Sequence, residues 1–145
     1  MTVFTIQEVS RRSGLSEPTL RYYEEVGLLG PVARDENSGH RRYCPEDVHT
    51  LEALACLRAV GMGIEDMRTY QANLTRRHTA AAEQRDLLLR HAERIETEIA
   101  AAHTRLGYLR EKAALWAARA CGDAAAEAKA TQRVADAIGR LEVLR

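Results

Sequence analysis

Side chains that suit contacts to phosphates and base edges are concentrated in the first 43 residues. They are Arg11, Ser16, Thr19, Arg21, Tyr22, Tyr23, Arg34, His40, Arg41, Arg42 and Tyr43. Guanidinium, hydroxyl and phenol groups are the usual donors in such contacts. The sequence has no glycine-rich phosphate loop, nucleophile elbow or paired-carboxylate signature. We therefore expect a binding protein with no catalytic residue rather than an enzyme.

The remaining reactive side chains are three cysteines, Cys44, Cys56 and Cys121, which form no CxxC pair. An odd number of cysteines without paired spacing does not indicate a disulfide framework. Cys121 is followed by no thiol or imidazole in residues 122–124, which argues against a soft-metal site, and an iron–sulfur cluster needs more cysteines. Because the five histidines are scattered, we expect no metal site and no cofactor.

Residues 5–26 have the pattern of two helices joined by a tight turn. Ile6 and Val9 are three residues apart on one face of the first helix, and Gly14 can supply the positive φ of the turn. Ser16 stands where an N-cap belongs, and Pro18 is tolerated in the first turn of the second helix. This order predicts a helix-turn-helix, whose second helix presents its N-terminal residues to the major groove; the alternative is an ordinary helical hairpin.

A second element follows directly and favours the helix-turn-helix. Residues 30–34 are extended, residues 35–39 are turn-formers, and residues 40–43 return. Two short strands around a glycine-containing turn make a wing. Arg34, His40, Arg41 and Arg42 give that wing cationic or polar groups that can reach phosphates.

The motif Ser-Gly-Leu-Ser-x-x-Thr-Leu-Arg-Tyr-Tyr-Glu-x-x-Gly-Leu-Leu at residues 13–29, followed by Gly-His-Arg-Arg-Tyr at residues 39–43, resembles the mercury-resistance regulator (MerR) family of bacterial transcription regulators. The resemblance covers the first half of the chain motif by motif and the second half in architecture. It implies that Arg21 and the tyrosines lie on the recognition helix and that Arg41 and Arg42 lie on the wing. One of the two tyrosines must face the core.

Composition restricts the kind of partner. The 21 basic residues are balanced by 21 acidic ones, so no global basic field attracts nucleic acid and the binding face must be local, as in a site-specific binder. There is no signal peptide and no apolar run long enough to span a bilayer. We expect a cytoplasmic, reduced protein without membrane contact.

The second half of the chain predicts helices throughout. A helix begins at Pro45 and ends near Gly61, and a shorter one follows from about Ile64. A sustained heptad then indicates a coiled-coil seam. One row of the seam is Ala81, Leu88, Ile95, Ala102, Leu109 and Trp116, and the other is Arg85, Ala92, Ile99, Leu106, Ala113 and Ala120.

The expected fold class is all-α with a small β wing. Its parts are a winged helix-turn-helix domain at residues 1–72, a connector at 73–80, a coiled-coil dimerisation helix at 81–120 and a C-terminal helix at 121–145. Asp123 is the expected N-cap of the last helix, which is amphipathic. Three arrangements of that helix are considered: it packs on the dimerisation helix, it packs on the DNA-binding domain of a second chain, or it is mobile.

The family resemblance also suggests a sensor. Residues 56–62 resemble a branch of the family that senses aldehydes or other electrophiles through a lone cysteine in this region, which points to Cys56. The alternative for Cys56 is a buried, space-filling thiol. Cys44 is the rival sensor, because a helix N-terminus and nearby Arg41 and Arg42 are features that lower a thiol pKa; its plain alternative is an N-cap in place of Ser or Thr.

Together these expectations describe a homodimeric, site-specific transcription regulator. The resemblance implies an antiparallel coiled coil, a pseudo-palindromic promoter in double-stranded DNA, and an effector that makes the dimer distort the promoter spacer so that RNA polymerase can engage. An effector-independent architectural DNA-binding protein, a regulator that binds its small molecule non-covalently and a pure coiled-coil interaction protein are the alternatives.

Overall fold

The computed structural model describes residues 2–144, in which the chain forms two compact units divided between Leu88 and Leu89. Met1 and Arg145, the ends of the predicted domain ranges, lie outside the described residues. The elements are α1 (Ile6–Ser13), α2 (Glu17–Glu25), β1 (Ala33–Arg34), β2 (Arg41–Arg42), α3 (Pro45–Ala59), α4 (Ile64–Arg76), a 3-10 segment (Arg77–Ala80), α5 (Ala81–Cys121) and α6 (Ala124–Glu142). The predicted fold class, helical with a small β wing, is confirmed.

Local hydrogen bonds explain where α1 and α2 begin and end. Thr5 and Glu8 form a capping box at the start of α1, and the Glu8 N–H donates to Thr5 Oγ1 at 3.2 Å. Gly14 ends α1 with a φ of 78°, in the left-handed region that favours glycine. Ser16 caps α2, since its Oγ accepts from the Thr19 N–H at 3.2 Å. The predicted turn and N-cap are therefore present.

The wing is one antiparallel pair of two-residue strands, β1 and β2. Ala33 is opposite Arg42, and Arg34 is opposite Arg41. The chain N-terminal to α1 extends this small sheet, because Phe4 and Tyr43 form a bridge with N–H to O distances of 2.8 and 2.9 Å. The wing is thereby connected to the start of α1.

A single apolar core holds the first unit together. Its fully buried members include Val9 from α1, Leu20 from α2, Leu51 and Leu54 from α3, and Met67 from α4. Each of these residues lies on the inward face of its helix, so burial of the core fixes the relative positions of the helices next to the wing and the turn.

Tyr43 is fully buried, and its Oη has no hydrogen-bond partner in the part of the chain that the structure describes. Burial raises the pKa of this phenol. Because an unsatisfied buried hydroxyl costs about 1–3 kcal/mol, we expect Tyr43→Phe to increase the free energy of unfolding by about 1 kcal/mol. Urea denaturation measures this change, and Tyr22→Phe, at a half-exposed ring, is the matched control. A loss of stability in Tyr43→Phe would show that the hydroxyl has a partner.

The second unit contains most of α5 and all of α6. Gly122 has a φ of 68°, and Asp123 then caps α6 by accepting the Ala126 N–H at 3.0 Å. Leu115 of α5 is buried against Ala130 and Val134 of α6. The C-terminal helix therefore packs on the long helix of its own chain, which is one of the three predicted alternatives.

Two ion pairs reinforce the contact between α5 and α6. Arg133 Nε lies 2.9 Å from Glu111 Oε2, and Arg119 Nε lies 2.9 Å from Glu127 Oε1. Both pairs are partly exposed, so they help to define the register of α6 rather than supply much stability.

The predicted seam lies on a different face of α5. Its large side chains are exposed in the single chain, with exposed fractions of 52% for Ile99, 62% for Leu109 and 59% for Trp116. Leu88, Ile95 and Leu106 are exposed as well. A long row of exposed apolar side chains on one helix face is typical of a surface that another helix covers.

Among the described residues, none of the helices combines the length and the apolar character that crossing a membrane requires.

Candidate DNA-binding surface

A cationic cleft of about 280 Å³ lies between the start of α1, the first turns of α2 and the wing. We call it the wing cleft, and it is lined by Thr5, Ile6, Gln7, Glu17, Arg21, Arg34, Gly39, His40 and Arg41. The N-terminal end of α1 contributes a partial positive charge beside the guanidinium groups. The wing cleft thus has the shape and the sign of charge that suit an anionic backbone.

The predicted recognition helix, α2, presents Thr19, Arg21 and Tyr22 at its solvent-facing side. Arg21 is about half-exposed and lies 3.6 Å from Glu17, which makes a loose surface ion pair of little strength. Tyr22 is 46% exposed. The Thr19 hydroxyl accepts from Arg58 Nη1 at 3.0 Å, so α3 braces the start of α2.

The tip of the wing is shaped by Asp35. Its Oδ1 accepts from the backbone N–H groups of Asn37 and Ser38, each at 2.9 Å, and its Oδ2 lies 3.0 Å from Arg42 Nη2. Gly39 closes the turn with a φ of 75°. This turn leaves the side chains of Arg34, His40 and Arg42 exposed beside the wing cleft.

The Asp35 carboxylate is also a titratable group at the tip of the wing. The Ser38 and Asn37 backbone N–H groups hold its pKa below the ordinary value of 3.8. Because the pKa is lowered in the folded state, the contribution of this carboxylate to stability is complete above the ordinary pKa. That contribution is lost as the pH falls through the lowered value. We therefore expect the Asn37 and Ser38 amide NMR signals to stay constant on acidification until the pH is below that ordinary value.

Substitution of Asp35 by Asn tests this assignment, because an amide oxygen accepts hydrogen bonds but does not titrate in this range. The Asp35→Asn protein should lose the acid transition of the two amide signals. Glu36→Gln, an exposed neighbour, should keep it. An unchanged transition in Asp35→Asn would assign the titration to another group.

Arg41 differs from the other wing cations because it is partly buried. Its side chain is 20% exposed, and its Nε lies 2.7 Å from Glu24 Oε1 on α2. Glu24 is not among the contacts that the sequence predicts. The two residues are 17 positions apart and meet only through the packing of the wing on α2.

Two expected contacts need correction. Tyr23 is 2% exposed and Tyr43 is fully buried, so both rings belong to the core and do not offer a surface to DNA. Of the adjacent tyrosines, Tyr23 is the one that faces inward and Tyr22 the one that faces solvent. Tyr43 follows the exposed Arg42 at the end of β2, where alternation turns its side chain to the opposite face.

The remaining predicted contacts lie at the surface of the first unit. Arg11 is exposed in the last turn of α1, and Ser16 is exposed at the N-cap of α2. Ser16 already uses its Oγ to cap the helix and lies 2.8 Å from Thr19 Oγ1.

The cysteines have different surroundings. Cys56 is exposed on α3 beside the ion pair between Arg12 and Glu52, at a shallow surface cleft of about 460 Å³. Its alternative reading as a buried, space-filling thiol is therefore wrong. Cys121 is exposed at the C-terminal end of α5.

Cys44 is the N-cap of α3 and forms a capping box with Asp47; the Cys44 N–H donates to Asp47 Oδ2 at 3.1 Å. The Asp47 backbone N–H lowers the pKa of the Cys44 thiol. Burial and the carboxylates of Glu46 and Asp47 outweigh it, so the pKa lies above its ordinary value. The expected lowering of this pKa was wrong, because burial and the two neighbouring acids together have a larger effect than the backbone N–H at the start of the helix.

A helix-turn-helix with an exposed recognition helix, a two-stranded wing and a cationic cleft between them defines a winged helix-turn-helix protein. The family model described as "MerR HTH family regulatory protein" matches residues 4–74. HTH-type transcriptional regulator HmrR of Rhizobium leguminosarum bv. viciae is 36% identical over 94 residues, which are 65% of this chain and 71% of HmrR. The chain belongs to the MerR family.

Two further comparisons concern a relative and a solved structure. Heavy metal-dependent transcription regulator 2 of Rhizobium meliloti is 36% identical over 96 residues, 66% of this chain and 65% of that protein's length. The chain thus spans about two thirds of that relative. HiNmlR, described as a MerR family regulator lacking the sensor domain and bound to promoter DNA, has a TM-score of 0.65 and 29% identity over 87% of this chain and 96% of its own.

Proposed function

We propose that the protein is a homodimeric transcription regulator that binds promoter DNA in a site-specific manner. The observation that carries this proposal is the wing cleft, where the recognition helix, the wing and the N-terminal end of α1 direct cationic and polar groups to one surface. The similar HiNmlR structure, described as bound to promoter DNA, supports the same use of this surface. Recognition residues are Arg21, Tyr22 and Thr19; Arg11, Arg34, His40 and Arg42 contact the backbone.

The α5 seam supports the homodimer. One helix face carries Ile95, Ile99, Leu106, Leu109 and Trp116, all exposed in one chain, while α6 covers another face. A second copy of the same helix, antiparallel to the first, buries the apolar rows against each other. An isologous dimer of this kind has two recognition helices, which fits a pseudo-palindromic promoter.

The proposed output is a change in promoter shape. An effector that binds one dimer geometry better than the other shifts the population, and the dimer then bends and untwists the spacer so that RNA polymerase engages both promoter elements. Such deformation uses the sequence-dependent mechanics of DNA rather than additional base contacts.

Cys56 is the proposed sensor of an electrophilic effector. Its exposure on α3 gives an aldehyde access to the sulfur. Addition of the thiol to an aldehyde carbonyl forms a sulfur–carbon bond and transfers the thiol proton to the carbonyl oxygen, so no oxidant is required. Cys44 is the less suitable thiol, because its raised pKa lowers its thiolate fraction.

Footprinting of the purified protein on the DNA upstream of its own gene, with and without a thiol-reactive aldehyde, tests the proposal. We expect protection of an inverted repeat and an aldehyde-dependent distortion at its centre. A footprint that is the same with and without the aldehyde would indicate either a non-covalent effector or an architectural role. Absence of protection by the wild-type protein would contradict DNA binding at this region.

The sensor residue is tested by Cys56→Ser, with Cys121→Ser as the matched control at another exposed cysteine. Loss of the aldehyde-dependent distortion in Cys56→Ser alone supports the sensor assignment. An intact response in Cys56→Ser contradicts it.

A further inference from the structure

Glu24 is the one acidic residue that connects the recognition helix directly to both sides of the wing among the described ion pairs and hydrogen bonds. Its Oε1 accepts from Arg41 Nε at 2.7 Å, and its Oε2 accepts from the Val32 backbone N–H at 3.4 Å. Arg41 begins β2, and Val32 immediately precedes β1. A single carboxylate therefore holds the first residue of one strand and the residue that leads into the other.

The pair between Glu24 and Arg41 is protected from solvent. The exposed side-chain fractions are 18% for Glu24 and 20% for Arg41, against 53% for Arg42 in its pair with Asp35. Val32 is 6% exposed. A short, charged hydrogen bond in such surroundings is screened less by water than a surface pair is. The contact can therefore fix geometry.

The negative charge of Glu24 is unfavourable on a helix that is proposed to bind DNA. A carboxylate on a recognition helix is repelled by the phosphates that the neighbouring arginines attract. Arg41, in turn, directs its Nε at Glu24 rather than at solvent. A role that depends on the pair itself explains both residues better than separate contacts to DNA.

We propose that Glu24 is a positioning residue that fixes the wing against the recognition helix, and that Arg41 acts through this pair. The inference rests on the proposed DNA binding. The wing cations Arg34 and Arg42 reach phosphates only when the wing is held at this distance from α2. Release of the Glu24 contacts therefore removes phosphate contacts without removing any cation.

The substitution Glu24→Gln gives a test in which two explanations predict opposite changes in DNA affinity. If Glu24 acts only through its charge, its neutralisation strengthens DNA binding. If Glu24 positions the wing, binding to the duplex that wild-type protein protects becomes about tenfold weaker, because a charge-assisted hydrogen bond is lost. The second readout is the slope of the logarithm of the binding constant against the logarithm of the salt concentration. This slope should become shallower by about the amount expected for one lost phosphate contact, although every arginine remains.

Glu25→Gln is the matched control, because Glu25 is exposed on the same helix and carries the same charge. It should bind DNA as tightly as wild type or slightly more tightly, with an unchanged salt slope. Weaker binding of Glu24→Gln with an unchanged slope would indicate a general loss of folded protein and would overturn the proposal. Equal or tighter binding would overturn it too.

A measurement without DNA separates this proposal from the proposed function. Hydrogen exchange at the backbone amides of residues 32–42 should be about tenfold faster in Glu24→Gln than in wild type, and unchanged in Glu25→Gln. Unchanged exchange in Glu24→Gln would overturn the positioning role even if the protein binds DNA. If wild-type protein protects no DNA, faster exchange still establishes the contact between wing and recognition helix.

The double variant Glu24→Gln/Arg41→Gln addresses Arg41. If Arg41 acts through Glu24, the double variant binds no more weakly than the weaker single variant. If Arg41 is an independent phosphate contact, the two losses add, and the part of the proposal that concerns Arg41 is wrong. Circular dichroism of the wild type, Glu24→Gln, Arg41→Gln and the double variant verifies that the helices are folded.

Discussion

Replacement of Leu109 by Glu is expected to convert the proposed dimer to a monomer while α5 and α6 remain folded. The Leu109 side chain is 62% exposed in the single chain, so a carboxylate there is solvated and costs the monomer little. In the proposed dimer it lies in an apolar seam. An unpaired charge in such a place costs at least about 3 kcal/mol, which weakens association by more than a hundredfold. Sedimentation equilibrium measures the effect.

Leu89→Glu is the matched control for this prediction. Leu89 is also a leucine on α5, and it is 53% exposed, but it lies in neither row of the heptad. The control protein should remain a dimer and keep its promoter footprint. A dimeric Leu109→Glu protein, or a monomeric Leu89→Glu protein, would show that the seam has been assigned to the wrong face of α5.

Replacement of Arg21 by Ala is expected to weaken promoter binding by about 10–100-fold and to relax the sequence preference at one base position. Arg21 is the central residue of α2, with about half of its side chain exposed. Its ion pair in the described part of the chain is a loose one with Glu17. A guanidinium in that place can donate two hydrogen bonds to one guanine, a contact worth about 1–3 kcal/mol of discrimination. Competition binding with single-base variants of the protected duplex measures both effects.

Arg42→Ala on the wing is the comparison for Arg21→Ala. Its side chain is 53% exposed and lies beside the turn of the wing. We expect it to contact a phosphate rather than a base edge. We expect similar weakening on every sequence and a salt slope reduced by about one. If Arg21→Ala instead weakens binding to all duplexes equally, Arg21 contacts the DNA backbone. Its neighbours on α2 would then be the residues that recognise bases.

Local signals made much of this fold predictable from sequence. The N-cap at Ser16, the positive φ at Gly14 and the helix start at Pro45 each depend on neighbours within a few residues. The heptad of α5 is likewise a local periodicity, and it identified side chains that the single chain leaves exposed. These features follow from backbone chemistry and residue spacing alone.

The features that sequence could not supply depend on contacts between distant segments. Glu24 meets Arg41 only because the wing packs on α2, and spacing gives no sign of that pair. Tyr43 reads as a wing residue, yet its ring is buried in the core of the first unit, and its backbone pairs with Phe4 near the N-terminus. The amphipathic pattern of α6 predicted an apolar face but did not identify Leu115 as its partner.

Trp116 gives the protein an intrinsic fluorescent reporter of the proposed dimerisation. It is the only tryptophan in the sequence, and in one chain its indole is 59% exposed with the Arg119 guanidinium 4.8 Å from the ring centre. Coverage of the seam by a second chain transfers this ring from water to an apolar contact. Its fluorescence emission should therefore move to shorter wavelength as protein concentration rises through the dissociation constant, which makes self-association measurable without a label.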